Sequence, residues 1–240
     1  MIRISNLTKK FNGQVVLNDI SLVISDGELL VILGESGSGK SVLLQHLIGI
    51  LKPDSGVIEL GGIDITTLPE RQLLKLRRDI GYLFQEGALY DFMTVFENVA
   101  FPLKEHTKLK HAEIVAKVDG ALTMLGLQDA GNKYPAELSG GMKKRCALAR
   151  SIILDSRILF CDEPTSGLDP IRSQDISNVI RDLTRQLRCT TVVTSHDISN
   201  SFRIADRIVV IHEGIIRAQG TPQQLTKSSD AFINKFLQAV

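Results

Sequence analysis

Apolar residues recur along this chain with two different periods. Near the N-terminus they form short blocks, Ile2–Leu7 and Val15–Ile20, the second interrupted by Asn18-Asp19. A continuous run follows, Leu29-Leu30-Val31-Ile32-Leu33. Short blocks bounded by turn residues read as strands, and an unbroken aliphatic run reads as a strand buried on both faces. After Gly34 and a Gly/Ser-rich turn, the segment from Ser41 to Leu51 takes up a helical spacing. Residues 51–56 carry turn signals, and Val57–Leu60 before two glycines is a short strand. Between 112 and 127, Ile114, Val115, Val118, Ala121, Leu122 and Leu125 share one helical face. Strands are expected at 157–164 and 190–195, with a helix near 171–187 between them. Residues 204–216 read as strand, turn, strand. A final helix places Phe232, Ile233, Phe236, Leu237 and Val240 on one face. Strands and helices thus alternate on either side of a mostly helical middle, which is the pattern of an α/β core with a helical insertion over about 86–155.

Composition narrows the class. The 240 residues, 43% hydrophobic and 23% charged, suit one large domain with an ordinary core. A net charge of +1 carries no electrostatic footprint of a nucleic-acid binder. The longest apolar runs, such as Leu29–Leu33 and Ile208–Ile211, are too short to span a bilayer. The N-terminal residues lack an apolar signal core, so a cytosolic chain is expected. Cys146, Cys161 and Cys189 are odd in number and form no CxxC pair, which favours free thiols.

Gly34-Glu35-Ser36-Gly37-Ser38-Gly39-Lys40-Ser41 fits GxxxxGK[ST] between a predicted strand and a predicted helix. Glycines let the backbone turn so that successive N–H groups face phosphate oxygens, and the helix N-terminus adds its dipole. In that setting Lys40 reaches the β- and γ-phosphates and the Ser41 hydroxyl binds Mg²⁺. Downstream, apolar Ile158–Cys161 end in Asp162-Glu163. Two acids at the end of a buried strand are costly unless they serve a charge. Asp162 is the candidate for Mg²⁺, and Glu163 for polarising the attacking water. The alternative, a glycine-rich turn and a capped strand end, leaves this ordered pair of features unexplained.

A P-loop alone does not decide function. Glu137-Leu138-Ser139-Gly140-Gly141-Met142, some twenty residues before the Asp-Glu pair, opens a helical stretch. This resembles the signature motif of ATP-binding-cassette (ABC) ATPases, and further motifs of that family follow in order. Phe11 stands where an aromatic stacks on adenine, Gln85 matches the Q-loop glutamine, Ser166-Gly167-Leu168-Asp169 resembles the D-loop, and His196 matches the switch histidine. The resemblance covers essentially all of residues 1–240. It implies an α/β P-loop NTPase core with an N-terminal antiparallel β subdomain and a helical subdomain. ATP and Mg²⁺ are the implied cofactors. Glu163, His196 and Gln85 are the implied catalytic residues, with Gln85 also on the metal. Ser139, Gly140, Gly141 and Asp169 are implied at the nucleotide, in an ATP-dependent head-to-tail homodimer. Met142 stands where many relatives carry Gln, and no polar role is expected for it.

The segment Phe84–Thr107 holds five of the twelve aromatic residues: Phe84, Tyr90, Phe92, Phe96 and Phe101. In transporter ATPases this region forms the groove that receives a helix from a membrane subunit, and an amphipathic helix needs such an apolar groove. Half or more of the rings are expected in the core, with Phe92 and Phe96 as candidates for the groove. FQEGALY, VFENVAFPLKEHT, ELSGGMKKRCALAR, GKSVLL and EPTSGLDPIR resemble the ATPases of MCE/Mla phospholipid transport systems. That implies an MlaE-type permease bound around 84–107, an MCE-domain protein in the same complex and, in some systems, a small STAS-domain regulator. It also implies a peripheral position on the cytoplasmic face of the inner membrane. The motor of an amino-acid or other small-solute importer is an alternative. A soluble ABC protein of DNA repair or translation is a third, though the chain shows one cassette and no heptad insertion. The basic runs 71–78 and 143–150 read as solvated helix faces.

Overall fold

The computed structural model describes residues 1–238. Its strands are β1 Ile2–Phe11, β2 Gln14–Ile24, β3 Leu29–Leu33, β4 Ser55–Leu60, β5 Ile63–Asp64, β6 Ile80–Leu83, β7 Ile158–Asp162, β8 Thr190–Ser195, β9 Arg207–His212 and β10 Ile215–Gly220. The helices are α1 Lys40–Leu47, α2 Glu70–Leu76, α3 Val95–His106, α4 His111–Met124, α5 Gly140–Ile152, α6 Pro170–Leu187, α7 Ile198–Ile204, α8 Pro222–Leu225 and α9 Ala231–Gln238. Val240, expected on the last helical face, lies outside the described residues.

Two sheets form. One is antiparallel with order β2-β1-β4-β5. The other has order β10-β9-β3-β8-β7-β6 and is parallel from β9 to β6, with β10 antiparallel at its edge. The run Leu29–Leu33 is wholly buried in the second sheet because both of its faces are covered. Alternation along the strand sends Leu29, Val31 and Leu33 into one core with Val95 and Val99 of α3 and Leu148 of α5. Leu30 and Ile32 point the other way, into a second core with Ile2 and Ile4 of β1 and Leu43, Leu44 and Leu47 of α1. One strand therefore organises both halves of the interior and ends at the phosphate loop.

Asn18-Asp19 do not break a strand, contrary to expectation: β2 runs straight through them, and β1 continues past Leu7 to Phe11. Asp19 and the opposing Asn6 sit at φ 55 and 49, and Asn6 Nδ2 donates to Asp19 Oδ1 at 2.8 Å. The pairing shifts register between Leu7 and Lys9. Asn and Asp tolerate the left-handed conformation, so they make a bulge where sequence alone suggested a gap.

Among the described residues no strand lies between β6 and β7. Helices α3, α4 and α5 occupy most of 95–152, whereas 84–94 are irregular. Thr94 starts α3 with a capping box: its Oγ1 accepts from Glu97 N at 3.2 Å, and its own N–H donates to Glu97 Oε2 at 2.8 Å. No described helix is long and apolar enough to cross a membrane. The three cysteines are free and buried, and burial pushes the Cys146 thiol up to about 11.

Candidate functional site

The phosphate loop is the turn between β3 and α1. Gly37 and Gly39 take φ 82 and 100, which L side chains rarely adopt. A Cβ on Gly34 would lie 2.5 Å from the Ile211 carbonyl oxygen, so the loop lies directly against β9. A cleft of about 130 Å³ opens here, lined by Gly37, Gly39, Lys40 and Ser41. Lys40 is only 5% exposed. Its Nζ donates to the carbonyls of Gly34 and Glu35 at 2.9 and 3.0 Å and lies 3.1 Å from Glu163 Oε1. Ser38 Oγ is buried without a hydrogen-bond partner, an atom that a phosphate oxygen would satisfy. Glu35 and Ser36 stand exposed at the tip of the loop.

Beside the loop, Ser41 Oγ donates to Asp162 Oδ1 at 2.8 Å. Thr194 Oγ1 donates to the same oxygen at 2.7 Å, and the Tyr82 hydroxyl donates to Oδ2 at 3.4 Å. Asp162 and Thr194 face each other in the β7–β8 register, so backbone pairing brings these two groups together. Burial, then the charge of Asp162, raises the Tyr82 pKa, so the phenol stays a neutral donor. One hydroxyl and one carboxylate are a fitting protein share for Mg²⁺, which takes its remaining ligands from phosphates and water. Among the described residues there is no cluster of three or more acids, histidines or cysteines that could hold a metal alone.

Glu163 follows at φ 44, a strained conformation for a non-glycine residue, and is 7% exposed. Its backbone N–H donates to Thr194 Oγ1 at 3.0 Å. One carboxylate oxygen meets Lys40, and the other shares a 2.7 Å hydrogen bond with Nδ1 of His196. Thus Lys40, Ser41, Asp162, Glu163 and His196, from three separate segments, form one cluster.

The other expected residues stand apart from that cluster. Gln85 Nε2 donates to Ser166 Oγ at 3.3 Å, so its side chain rests on the loop after β7 rather than on Ser41 or Asp162. Ser139 caps α5, accepting from Met142 N at 3.4 Å. The cleft beside Ser139 and Gly141 also involves Arg145 and Arg172 and shares no residue with the phosphate-loop cleft. Gly140 packs there against Leu168. Asp169 Oδ1 accepts from Arg172 N at 3.0 Å and caps α6, a role the sequence reading did not assign to it. Phe11 ends β1, partly exposed, with Lys9 Nζ 5.3 Å from its ring centre. Met142 packs against the core, as its apolar side chain suggests.

The aromatic segment departs from expectation. None of the five rings is fully buried: Phe84, Tyr90 and Phe92 are exposed, Phe92 at 75%, while Phe96 and Phe101 are half-buried. The segment is irregular up to Thr94, so no regular face turns its side chains inward. A groove of about 380 Å³ lies here, with Tyr82, Phe84, Tyr90 and Phe101 among its walls and Arg77, Arg78 and Arg150 around them. Phe92 and Phe96 do not line it: Phe92 contacts Tyr90, and Phe96 packs on the core.

Sequence reasoning missed Thr194, Tyr82, Asn98 and Lys144. The β7–β8 register reveals Thr194. Asn98 and Lys144 carry a fainter signal, each a polar residue on the apolar face of a helix.

A glycine-rich loop at the end of a buried parallel strand, facing a hydroxyl–carboxylate pair, defines a P-loop nucleotide-binding fold. The family model described as ABC transporter matches residues 17–166, and the chain belongs to that family. It is 40% identical over 236 residues to the probable ribonucleotide transport ATP-binding protein mkl of Mycobacterium tuberculosis, matching 98% of this chain. It spans 66%, just under two thirds, of that relative's length. It is also 40% identical over 238 residues to the intermembrane phospholipid transport system ATP-binding protein MlaF of Haemophilus influenzae, covering 99% of this chain and 90% of that one. Among solved structures, the dimeric post-hydrolysis ATP-binding cassette MJ0796 bound to ADP and Pi superposes with TM-score 0.84 at 31% identity, covering 92% of this chain and 99% of that one. The cbiO1 cassette of Clostridium perfringens, part of the ABC transporter complex cbiONQ, gives 0.88 at 32%, covering 99% and 94%.

Proposed function

We propose that this chain is the ATP-hydrolysing subunit of an ABC transporter that moves phospholipid. The observation that carries the chemistry is Glu163, buried between Lys40 and His196 and next to the Ser41–Asp162 pair. Glu163 takes the proton of a water whose oxygen bonds to the γ-phosphorus. The bond to the β–γ bridging oxygen breaks, leaving ADP and phosphate. Lys40 exchanges the Gly34 and Glu35 carbonyls for phosphate oxygens, and the 34–41 loop supplies backbone N–H groups. Ser41 and Asp162 would hold Mg²⁺, and Gln85 would join them on leaving Ser166; the ion would supply positive charge to the phosphate oxygens. His196 orients Glu163 and faces the γ-phosphate, and Phe11 offers its ring to the adenine. Ser139, Gly140 and Gly141 present the α5 N-terminus as a second anion site, with Asp169 beside it. Since that cleft is separate from the phosphate loop, a head-to-tail pair of copies brings each helix end to its neighbour's ATP.

One cassette over 1–240 with a helical subdomain over about 86–155 remains our reading, supported by the run of helices between β6 and β7. The partners are an MlaE-type permease seated in the groove around 84–107 and an MCE-domain protein, with a STAS-domain regulator where a system has one. The arginine-rimmed aromatic groove fits an amphipathic helix bearing acidic residues. Lipid as cargo rests on the resemblance within 84–107 and on the similarity to the Haemophilus protein over nearly the whole chain. The chain then sits peripherally on the cytoplasmic face of the inner membrane.

Two measurements test this. Glu163→Gln keeps ATP binding and slows turnover by roughly 10²–10⁴-fold, the scale of a lost general base, and near-normal turnover overturns the chemistry. Affinity purification from native membranes in mild detergent recovers a permease, an MCE-domain protein and phospholipid. A permease with a solute-binding protein and no MCE subunit overturns the lipid assignment and leaves the ATPase standing.

A further inference from the structure

Lys40 and Lys144 are the lysines buried among the described residues, and the chemistry above uses only Lys40. Lys144 lies on the second turn of α5 at 8% exposure, and burial lowers its pKa against the opposing charges of Glu86 and Glu163. Its Nζ donates to the main-chain carbonyl of Gln85. Further along the same helix, Arg150 donates to the carbonyls of Gly87 and Ala88, both at 2.8 Å. Gly87 and Ala88 take left-handed φ values of 77 and 50, and a Cβ on Gly87 would lie 3.3 Å from that of Ala147 on α5. Helix α5 therefore grips three carbonyls of the 85–88 segment. Gln85 in turn reaches Ser166 on the loop that carries Glu163. A continuous path runs from the Ser139-capped helix through Lys144 and Gln85 to the β7 loop.

We propose that Lys144 is a positioning residue for hydrolysis: it fixes the Gln85 segment to helix α5 and so transmits the position of that helix to the site around Glu163. This rests on the ATPase reading of Glu163. A buried charge carries a desolvation cost, and an apolar residue of similar length usually serves stability as well or better. If Lys144 only supported the fold, Met would replace it without effect on turnover.

The test uses the full chain, with steady-state ATP hydrolysis, thermal unfolding and amide hydrogen exchange on wild type, Lys144→Met, Lys144→Arg and Glu163→Gln. Lys144→Met is expected to lower kcat about tenfold or more, the scale of a slightly displaced catalytic group, with the KM for ATP within roughly threefold. Its unfolding midpoint does not fall, and exchange at the Gly87 amide, bonded to the Phe84 carbonyl, accelerates. Lys144→Arg, which keeps a charged donor, recovers much of the lost kcat. The proposal is overturned if Lys144→Met keeps kcat within roughly twofold of wild type. It is also overturned if exchange over 85–88 is unchanged, or if the loss of activity follows a loss of stability that Arg does not restore. Should the Met variant not fold, Lys144→Gln is read against the same criteria. If Glu163→Gln turns over normally, the ATPase reading fails by itself, and hydrogen exchange still decides whether Lys144 holds the segment.

Discussion

Replacing Asn98 by alanine tests whether the groove is held by one buried amide. Asn98 is 0% exposed and sits on the inner face of α3. Its Oδ1 accepts from Tyr90 N at 2.8 Å, and its Nδ2 lies 3.0 Å from the carbonyls of Tyr90, Met93 and Thr94. Two amide hydrogens serve three acceptors, and Thr94 O already receives the helical N–H of Asn98. The side chain therefore supplies about three independent bonds, each worth roughly 0.5–1.5 kcal/mol net. Asn98→Ala is therefore expected to cost about 2–4 kcal/mol. For a chain of this size each kcal/mol moves Tm by roughly 2–4 °C, which gives a fall of about 4–16 °C by calorimetry. Limited proteolysis is expected to cut first within 88–94. Asn98→Asp is expected to be worse, because it places a carboxylate against three carbonyl oxygens. A fall below about 2 °C with no new cleavage, or an Asp variant as stable as wild type, refutes the reasoning.

Three other outcomes follow from the same geometry. Lys40→Ala removes the charged partner of the phosphate oxygens, and titration calorimetry is expected to show ATP affinity lower by roughly 10–100-fold, the worth of a charge-assisted hydrogen bond; unchanged affinity counts against the phosphate site. His46 is fully buried, with Nδ1 2.7 Å from the Val42 carbonyl and Nε2 unpartnered, and burial holds its pKa below the ordinary value. The unfolded chain therefore protonates first, so His46 costs stability as pH falls below about 6.5. His46→Leu should flatten urea-unfolding free energy against pH below that point, and an unchanged slope would exclude the role. Phe84→Ser, at an exposed ring of the groove, should fold and bind ATP as wild type does while losing the co-purifying permease; retained permease removes Phe84 from the contact.

The sequence by itself determined the local chemistry. The spacing from Gly34 to Ser41 makes a phosphate loop wherever a strand precedes it and a helix follows, because backbone N–H groups and glycine freedom are properties of contiguous residues. The same holds for the Thr94–Glu97 capping box and for the Ser139 cap. The buried run Leu29–Leu33 was also legible, since an aliphatic run of strand length has few other homes. Only the tertiary structure decided what distant segments do to one another. Thr194 reaches Asp162 because β7 and β8 pair in one register, and Lys144 reaches Gln85 because α5 crosses the loop after β6. The aromatic rings of 84–101 show the limit most clearly. Their hydrophobicity predicted burial for half or more, but Phe84, Tyr90 and Phe92 lie exposed on the irregular 84–94 segment, whose 90–94 part Asn98 holds, and Phe96 and Phe101 on α3 are only half-buried. Burial depends on which neighbours cover a side chain, and those neighbours are far away in sequence.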